Sequence, residues 1–367
     1  QFLNARLGWA AGEHGVIWHT ADGGRSWELQ RSGVSFALRS VCFLTDQIGW
    51  AAGGGTIPFT HQSRGVVLRT TDGGKNWQVA NESAIPQIYG LKFFGLKEGI
   101  MAGDADPNSP TGLFTTTDGG KTWTPATGLR VRGWRAGDFR GVDRGLIAGA
   151  LGRIAVVSEG NINKNLMTDY GISGFHAVKF GTGSRAWAVG DGSLVVTTIN
   201  GGVSWKSPQT RLPADARDTF DFRALAVRDN HIWIAGRPGS VIWHSGDGGV
   251  SWERQLTGQT VPITALSFSS PTEGAAVGAL GMILTTTDGG RTWQASRGNE
   301  RRAAILSLHT QPEQISLNLQ AQLAGALIPH PGPTQRTIWT PAFMRRPSKL
   351  AALPVRFIGD CRWTCPA

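Results

Sequence analysis

Short apolar segments that end in Ala-Gly or Val-Gly recur along the chain, and a polar octet follows most of them. These segments predict short β-strands, and the Gly-rich octets predict tight turns between strands. The repeat length lies between 41 and 50 residues, which is typical of a β-propeller with about four strands in each blade. Seven terminal glycines predict seven blades: Gly12, Gly53, Gly103, Gly149, Gly190, Gly236 and Gly278.

The octet reads Thr/Ser-x-Asp-Gly-Gly-x-Ser/Thr-Trp and occurs six times, with one substitution in each of two copies. Trp123 and Trp205, which close the third and fourth copies, are 82 residues apart, about two repeat lengths. We therefore expect that blade 4 has lost its octet, and that residues 153–160 stand in its place. The six copies occupy residues 20–27, 70–77, 116–123, 198–205, 245–252 and 286–293.

The composition of the octet predicts a structural role. An Asp carboxylate accepts hydrogen bonds from nearby backbone N–H groups, and two glycines supply the positive φ angles of a tight turn. The Thr/Ser hydroxyl ties the turn to its strand, and the Trp covers the blade core, where it buries about 150–250 Å². The predicted structural residues are Asp22, Asp72, Asp118, Asn200, Asp247, Asp288, Trp27, Trp77, Trp123, Trp205, Trp252 and Trp293.

A third marker lies ten residues before each terminal glycine, where six of the seven residues are Phe. At this position we expect the inner strand to insert a side chain into the neighbouring blade. Phe2 lies so near the first residue that we expect blade 1 to lack the start of its inner strand. The marker residues are Phe2, Phe43, Phe93, Phe139, Phe180, Ala226 and Phe268.

The octet is the Asp-box, or BNR, repeat of sialidases, xyloglucan-cleaving glycosidases, sortilin-type receptors and the photosystem II stability/assembly factor family. Gly-Trp-Ala-Ala-Gly at 8–12 and 49–53, together with Thr-Thr-Asp-Gly-Gly-Lys, resembles the last family most. The resemblance covers residues 1–297 and implies an all-β, seven-bladed propeller of four-stranded blades. It also implies an extracytoplasmic compartment: periplasm, lumen or a secreted form. The repeat identifies the architecture and leaves the function open.

The face opposite the Asp-box turns is the predicted functional face. Unusual insertions at 54–64, which includes Arg64, and at 104–110 belong to adjacent blades on that rim, as does the long crossing at 206–221. Each inner strand enters the channel from the same rim at the residue four positions before the Phe position. These residues are predicted to form a ring around the channel mouth. A ring that holds a carboxylate or an acidic peptide end is one interpretation, and a solvated ring without a ligand is the other. The ring residues are Arg39, Tyr89, Arg135, His176, Phe222 and Thr264.

Six arginines fall within residues 130–153, beside the ring and in the blade that has lost its box. Arg130 and Arg132 are predicted on the loop-rich rim, and Arg140 and Arg144 near the opposite face. The assembly factor family carries a positive patch that receives a segment of a membrane protein, and this cluster is similar in kind. A solvated charged surface is the alternative.

Composition and charge exclude several function classes. The net charge is +10, but residues from Arg301 onward contribute +6 of it (8 basic, 2 acidic), which argues against a nucleic-acid partner. Apolar runs are too short for direct membrane insertion. Three cysteines make neither a disulfide framework nor a zinc site, and Asp104-x-Asp106-x-Asn108 lacks the Gly and Glu of a calcium loop. We expect no metal, no cofactor and a monomer.

Two functional interpretations remain. The favoured one is a non-enzymatic scaffold or assembly-factor propeller that docks an acidic or membrane-protein partner. The alternative is a glycoside hydrolase, because acidic residues line the predicted rim. A sialidase site is not expected, since the chain has two Tyr and no Arg-Ile-Pro motif. The rim carboxylates are Asp104, Asp106, Asp215, Asp218 and Asp221.

The repeat stops after Arg297. Residues 298–327 read as a strand and a helix, the start of an incomplete α/β unit; pairing of 303–309 beside blade 1 is the alternative. Residues 328–367 contain seven prolines and no periodicity, so we expect disorder there.

Overall fold

The structure of the chain is a computed structural model. It describes residues 1–296 with the exception of 129, 130, 132, 210, 211 and 218. The predicted strand–helix unit at 298–327 and the predicted disordered tail at 328–367 lie outside the described residues.

The described residues form seven antiparallel sheets, one for each consecutive blade. Within a blade the chain runs from the inner strand to the outer strand. Within the described residues, helix is confined to three single 3-10 turns: Glu13–Gly15, Ala214–Ala216 and Ala279–Gly281. The prediction of a seven-bladed, all-β propeller is confirmed. The strands are β1 (Gly8–Ala11), β2 (Val16–Thr20) and β3 (Glu28–Arg31) in blade 1; β4 (Ala37–Phe43), β5 (Gly49–Thr56), β6 (Ser63–Thr70) and β7 (Gln78–Val79) in blade 2; β8 (Ile88–Phe93), β9 (Gly99–Gly103), β10 (Leu113–Thr116) and β11 (Thr124–Pro125) in blade 3; β12 (Trp134–Phe139), β13 (Arg144–Gly149), β14 (Arg153–Ser158) and β15 (Asn161–Asp169) in blade 4; β16 (Phe175–Phe180), β17 (Ala186–Gly190) and β18 (Val195–Thr198) in blade 5; β19 (Asp221–Arg228), β20 (His231–Arg237), β21 (Ile242–Ser245) and β22 (Glu253–Gln255) in blade 6; and β23 (Ile263–Phe268), β24 (Gly274–Gly278), β25 (Ile283–Thr286) and β26 (Gln294–Ala295) in blade 7.

Blades 1 and 5 contain three strands each, and a single bridge marks the fourth position. In blade 1 the bridge joins Phe2 to Gly8 at the inner edge of β1, and in blade 5 it joins Thr197 to Lys206 at the outer edge of β18. Both blades therefore keep the four-stranded plan, with one strand reduced to a single bridge.

Blade 4 shows what replaces a lost Asp-box. β14 and β15 are joined through Glu159 and Gly160, both with positive φ (53° and 71°), which is the geometry of a two-residue hairpin. β15 extends over nine residues, whereas the other outer strands that form have two to four. A tight hairpin thus replaces the octet without loss of the blade.

Stacked aromatic pairs hold neighbouring blades together. Phe43 of blade 2 stacks on Trp9 of blade 1, with the ring centroids 3.6 Å apart. Phe93 stacks in the same way on Trp50 at 3.8 Å, and Phe268 on Trp233 at 3.7 Å. The inner-strand Phe therefore contacts the second strand of the preceding blade, as the sequence predicts.

The same tryptophans bond to the Asp-box of the next blade. The indole N–H of Trp50 donates to the carbonyl of Gly119 at 2.9 Å, and that of Trp233 donates to Gly289 at 2.9 Å. Trp9 makes the equivalent bond to Gly73 at 3.3 Å. The Asp-box turn is thereby part of the contact between blades as well as of its own hairpin.

The assignment of Ala226 to the Phe position is wrong by one residue. Val227 pairs with Ile232, as Phe43 pairs with Gly49 in blade 2, so Val227 is the equivalent residue. Counted between the Phe position and its partner on the second strand, the hairpin has four residues in blade 6 (228–231) and five in blades 2, 3, 4, 5 and 7. Counting a constant ten residues back from Gly236 therefore lands one position early.

Each complete box is a closed hydrogen-bond network, as blade 2 illustrates. The Thr70 hydroxyl donates to one oxygen of Asp72 and accepts from the N–H of Gly74. Asp72 also accepts from the backbone N–H and side-chain amide of Asn76, at 2.9 and 2.7 Å. In blade 5 Asn200 makes the corresponding contacts with Thr198 and Ser204 without a charge. These contacts stabilise the turn.

The box turn and the hairpin between strands 1 and 2 lie on one face of each blade. The N–H of Gly73 donates to the carbonyl of Gln47 in that hairpin, and Gly119 donates likewise to Lys97. Equivalent bonds join Gly201 to Ser184 and Gly289 to Thr272. We call this the box face, and the opposite end of the channel the mouth face.

Acid is expected to destabilise the propeller through the boxes. Hydrogen bonds from the backbone and side-chain N–H groups of Asn76 lower the pKa of Asp72 to about 2. Hydrogen bonds from the Ser251 hydroxyl and N–H lower the pKa of Asp247 to about 2 as well. In Asp118 and Asp288 desolvation raises the pKa, but hydrogen bonds from Thr122 and Thr292 outweigh it and also give about 2. Because these values lie below the unfolded value of 3.8, the boxes contribute stability above pH 4, and it is lost as the pH falls to about 2.

Replacing these four Asp by Asn, as in blade 5, tests this expectation. Near pH 3 the variant is expected to take up about three fewer protons on unfolding than the wild type. The measurement is the slope of the unfolding free energy against pH, from urea titrations between pH 2 and 5. An unchanged slope would show that the box carboxylates are not the linked groups.

Candidate functional site

A cavity of about 510 Å³ opens at the mouth face of the channel. The inner strands of blades 2 to 6 each contribute one side chain, and neighbouring segments contribute the rest. Every lining residue has a polar or charged side chain, which suits a charged ligand rather than an apolar one. The lining residues are Arg39, Gln87, Tyr89, Arg135, His176, Asp191, Arg223 and Arg237.

A β-bulge places each of the five inner-strand side chains. In blade 2 the register between β4 and β5 shifts between Leu38 and Ser40, so Arg39 has no partner in the ladder. The same shift isolates Tyr89, Arg135 and His176 in the next three blades. A bulge bends the strand and re-aims its extra residue, which here enters the cavity.

The structure brings together four of the six predicted ring residues and corrects a fifth. Phe222 is fully buried in the core and pairs with Gly236, whereas the bulge residue of blade 6 is Arg223. The cause is again the four-residue hairpin of that blade. Thr264 is the bulge residue of blade 7, but it does not line the cavity.

Sequence reasoning missed Asp191 and Arg237 as well. Each directly follows a terminal glycine, Gly190 or Gly236, where the second strand reaches the mouth face. Asp104 has the same position after Gly103. The residue after each terminal glycine was therefore the available signal.

Two carboxylates neutralise part of the positive charge at the mouth. Asp191 lies 2.6 Å from Nε2 of His176 and 3.7 Å from the Arg135 guanidinium. Asp221 pairs with Arg237 at 2.9 Å and accepts the N–H of Gly192. That N–H, together with Arg237, lowers the pKa of Asp221 despite desolvation. Both carboxylates thus hold basic side chains in fixed positions.

Arg39 and Arg223 carry the remaining positive charge. Among the described residues neither forms a salt bridge, and the Arg39 guanidinium lies 5.5 Å from the centre of the Tyr89 ring. Burial, followed by the Asp104 charge, raises the pKa of Tyr89, so its hydroxyl stays protonated and is able to donate. The site therefore offers two uncommitted guanidiniums to an anion, while the Tyr89 hydroxyl donates to Asp104.

Burial lowers the pKa of His176, and the Asp191 carboxylate opposes this only in part. His176 is therefore neutral at pH 7 and does not add to the positive charge. Its short contact with Asp191 instead positions that carboxylate beside Arg135.

The two insertions on the mouth face meet. The Ser63 hydroxyl at the end of the first donates to Asp104 of the second at 2.6 Å, and it accepts the N–H of Gln87, a cavity residue. Arg64 is exposed on β6 and does not line the cavity. Arg130 and Arg132 lie outside the described residues, and Arg140 and Arg144 lie on the box face, as expected.

The described rim carboxylates all have internal partners. Asp104 accepts from Ser63, and Asp106 accepts the N–H groups of Asn108 and Ser109 in its own turn. Asp215 lies 3.5 Å from Arg254, and Asp221 pairs with Arg237. Asp218 lies outside the described residues. A glycosidase needs two carboxyl groups that face the substrate, whereas each of these four accepts from a neighbouring group of the protein.

In the portion of the chain that the structure describes, no group of three or more His, Cys, Asp or Glu side chains is placed to hold a metal ion. No described helix has the length and hydropathy needed to cross a bilayer.

Comparison with known families supports the resemblance seen in the sequence. The model of the "Photosynthesis system II assembly factor YCF48" family matches residues 172–314, and that of the BNR/Asp-box repeat matches residues 114–125. The Photosystem II assembly lipoprotein Ycf48 of Synechococcus sp. (strain CC9902) is 36% identical over 126 residues, which is 32% of this chain and 35% of the relative. The chloroplastic stability/assembly factor HCF136 of Oryza sativa is 29% identical over 118 residues, which is 31% of this chain and 27% of the relative.

Solved structures show the same fold. A structure of YCF48 bound to D1 peptide superposes with a TM-score of 0.61 at 21% identity, covering 78% of this chain and 89% of that one. The GH74 xyloglucanase of Xanthomonas campestris has a TM-score of 0.64 at 12% identity, covering 80% of this chain and 53% of that one. The chain is an Asp-box seven-bladed propeller that is similar in sequence to photosystem II assembly factors, and its matches span about a third of those curated relatives.

Proposed function

We propose that this propeller is a non-enzymatic scaffold of the assembly-factor kind. It docks an acidic segment of a membrane-protein partner on the mouth face, opposite the Asp-box turns. The observation that carries the proposal is the composition of the mouth: four arginines surround one cavity, and two of them, Arg39 and Arg223, lack a carboxylate partner among the described residues.

The chemistry of the cavity favours a carboxylate ligand. Guanidinium groups form strong, directed hydrogen bonds with carboxylates, and Arg39 and Arg223 approach the cavity from different blades. The bulges hold these side chains on rigid inner strands, which lowers the entropy lost on binding. The structure of YCF48 bound to D1 peptide is a protein of this fold with a bound peptide, which agrees with the proposal.

The names of the same relatives support a proposal about the compartment. The Synechococcus relative is named a lipoprotein and the plant relatives are named chloroplastic. We propose an extracytoplasmic location: periplasm, lumen or a secreted form.

Reversing charge at the mouth tests the docking proposal. The probe is a synthetic peptide that ends in Glu-Glu and a free carboxylate, compared with its Gln-Gln amide. Wild-type protein is expected to bind the acidic peptide, and Arg39→Glu with Arg223→Glu to weaken binding at least about tenfold, because a hydrogen bond to a charged group contributes about 1.5–3 kcal/mol. The measurements are titration calorimetry at low salt and the melting temperature, which should not change.

The matched control is Arg25→Glu with Lys75→Glu, which changes the net charge equally on the box face. Equal weakening by both pairs would mean that only net charge matters and would reject the mouth as the site. The hydrolase alternative is tested with a panel of glycans, for which no turnover is expected. Turnover that disappears in Asp104→Ala or Asp221→Ala would replace the scaffold proposal.

A further inference from the structure

Two exposed apolar side chains stand on the mouth face beside the cavity. Leu151 is at the tip of the hairpin between β13 and β14 and is 50% exposed. Ile172 lies in the crossing from β15 to β16 and is 93% exposed. Because neighbouring strands are antiparallel, this hairpin and this crossing both lie opposite the boxes. We call the two side chains the apolar shelf.

Backbone contacts join the shelf to the wall of the cavity at Arg135. The N–H of Gly174, two residues after Ile172, donates to Asp191 at 3.2 Å, and Asp191 pairs with Arg135. A Cβ placed on Gly174 would lie 2.6 Å from the Arg135 guanidinium. The crossing therefore packs on a charged group of the cavity, and Ile172 is separated from it by no more than about 7 Å of chain.

Leu151 is tied to the same wall. The residue before it donates its N–H to the carbonyl of Gly133 at 2.7 Å, and Gly133 is two residues before Arg135. The carbonyl of Gly152 accepts the N–H of Tyr170 at 2.9 Å, which holds the Leu151 turn against the crossing. Both members of the shelf therefore border the cavity.

The charges favour an acidic group in the cavity and an uncharged group on the shelf. Four arginines line the cavity, and they outnumber the three carboxylates beside it, which belong to Asp104, Asp191 and Asp221. Near the shelf, Asp169 and Arg153 are partners in the ladder between β14 and β15, so their opposite charges balance. The excess of positive charge is thus confined to the cavity.

We propose that Leu151 and Ile172 bind one apolar side chain of the acidic segment that docks at the mouth. This inference rests on the proposed function and adds a second requirement for the partner. The occupant is a chain segment, because a cavity of about 510 Å³ between inner strands admits an extended segment but no folded surface. An extended chain advances about 3.3 Å per residue, so the apolar residue lies within about five residues of the acidic group.

A leucine scan of an acidic peptide tests the shelf with the full chain. The reference peptide consists of serines and ends in Glu-Glu with a free carboxylate, and one Leu replaces each of the five serines before Glu-Glu in turn. At one or two positions Leu is expected to tighten binding about tenfold, because covering the shelf removes apolar surface from water. Titration calorimetry measures the dissociation constants.

Leu151→Asn with Ile172→Ser is expected to remove this gain. Asn suits the first position because the φ of Leu151 is 56°, a conformation that Asn adopts more readily than Leu. Binding of the reference peptide, which has no apolar residue, reports on the cavity alone. Circular dichroism melts verify that the variant is folded.

The matched control is Leu280→Asn. Leu280 occupies the same Ala-Leu-Gly turn in blade 7, with a φ of 58° and 77% exposure. None of the described residues that line the cavity belongs to blade 7, so this variant should keep the gain from Leu.

The outcomes separate the shelf from the proposed function. If the reference peptide binds but Leu tightens binding at no position, the shelf is rejected and the docking function stands. The shelf is also rejected if the gain survives the double variant or disappears in the control. If the wild type binds neither the reference nor any Leu peptide, both proposals fail. A wild-type dimer that the double variant converts to a monomer, seen by sedimentation velocity, would make the shelf an interface between copies and overturn the inference.

Discussion

Trp233→Ala is expected to lower the free energy of unfolding by about 3–5 kcal/mol, the usual cost of removing a buried Trp. Trp233 is fully buried in β20 and stacks on Phe268 of the next blade at 3.7 Å. Its indole N–H donates to Gly289 in the Asp-box of that blade. The substitution therefore removes core packing and the link between blades 6 and 7 together. Urea unfolding followed by circular dichroism measures the loss.

Trp233→Phe separates the two contributions. The ring and its stack are largely kept, and the carbonyl of Gly289 still accepts from Gln255 at 3.1 Å, so no buried acceptor is left without a donor. We expect a loss of about 1 kcal/mol, near the net value of one hydrogen bond. If Trp233→Ala cost no more than Trp233→Phe, the stacked pair would not be the main contact between these blades.

Gly236→Ala is expected to destabilise the propeller by about 1–3 kcal/mol or more, whereas Gly12→Ala is expected to stay within about 0.5 kcal/mol. A Cβ on Gly236 would lie 1.9 Å from the carbonyl oxygen of Asp221, a backbone atom that moves only if the bulged inner strand moves. Gly12 has the same position in blade 1, and a Cβ there would meet nothing within 4 Å. The two substitutions are therefore chemically identical but sterically opposite.

Melting temperatures of both variants, measured side by side, test this contrast. The Asp221 carboxylate pairs with Arg237 at the mouth, so Gly236→Ala should also weaken binding of the acidic peptide. Gly12→Ala should leave that binding unchanged. Equal melting temperatures for the two variants would contradict the steric explanation of the terminal glycines.

That explanation also shows why the glycine marker was a reliable guide to the fold. In blades 2 to 7 the inner-strand backbone passes within 1.9–2.5 Å of the place where a Cβ would stand on the terminal glycine. The requirement is local to each blade and repeats with it. A constraint of this kind appears in the sequence as a period, and counting the period gave seven blades even though blade 4 had lost its box.

The ring at the mouth was predicted less completely, because residue counting assumes constant hairpin length. Arg39, Tyr89, Arg135 and His176 were found in blades where five residues separate the Phe position from its partner on the second strand. In blade 6 the hairpin is one residue shorter, so Arg223 takes the place that counting gave to Phe222. A one-residue change exchanges a channel-facing side chain for a core one.

The all-β class, the number of blades, the face that carries the boxes and most of the channel ring were predictable from the amino-acid pattern alone, because each depends on contacts within one repeat. Which charges remain free at the mouth became clear only from the three-dimensional arrangement. Asp191 and Asp221 reach Arg135 and Arg237 across separations of 56 and 16 residues. Pairing of this kind depends on where bulges and neighbouring blades direct the side chains, and a repeating sequence pattern does not contain this information.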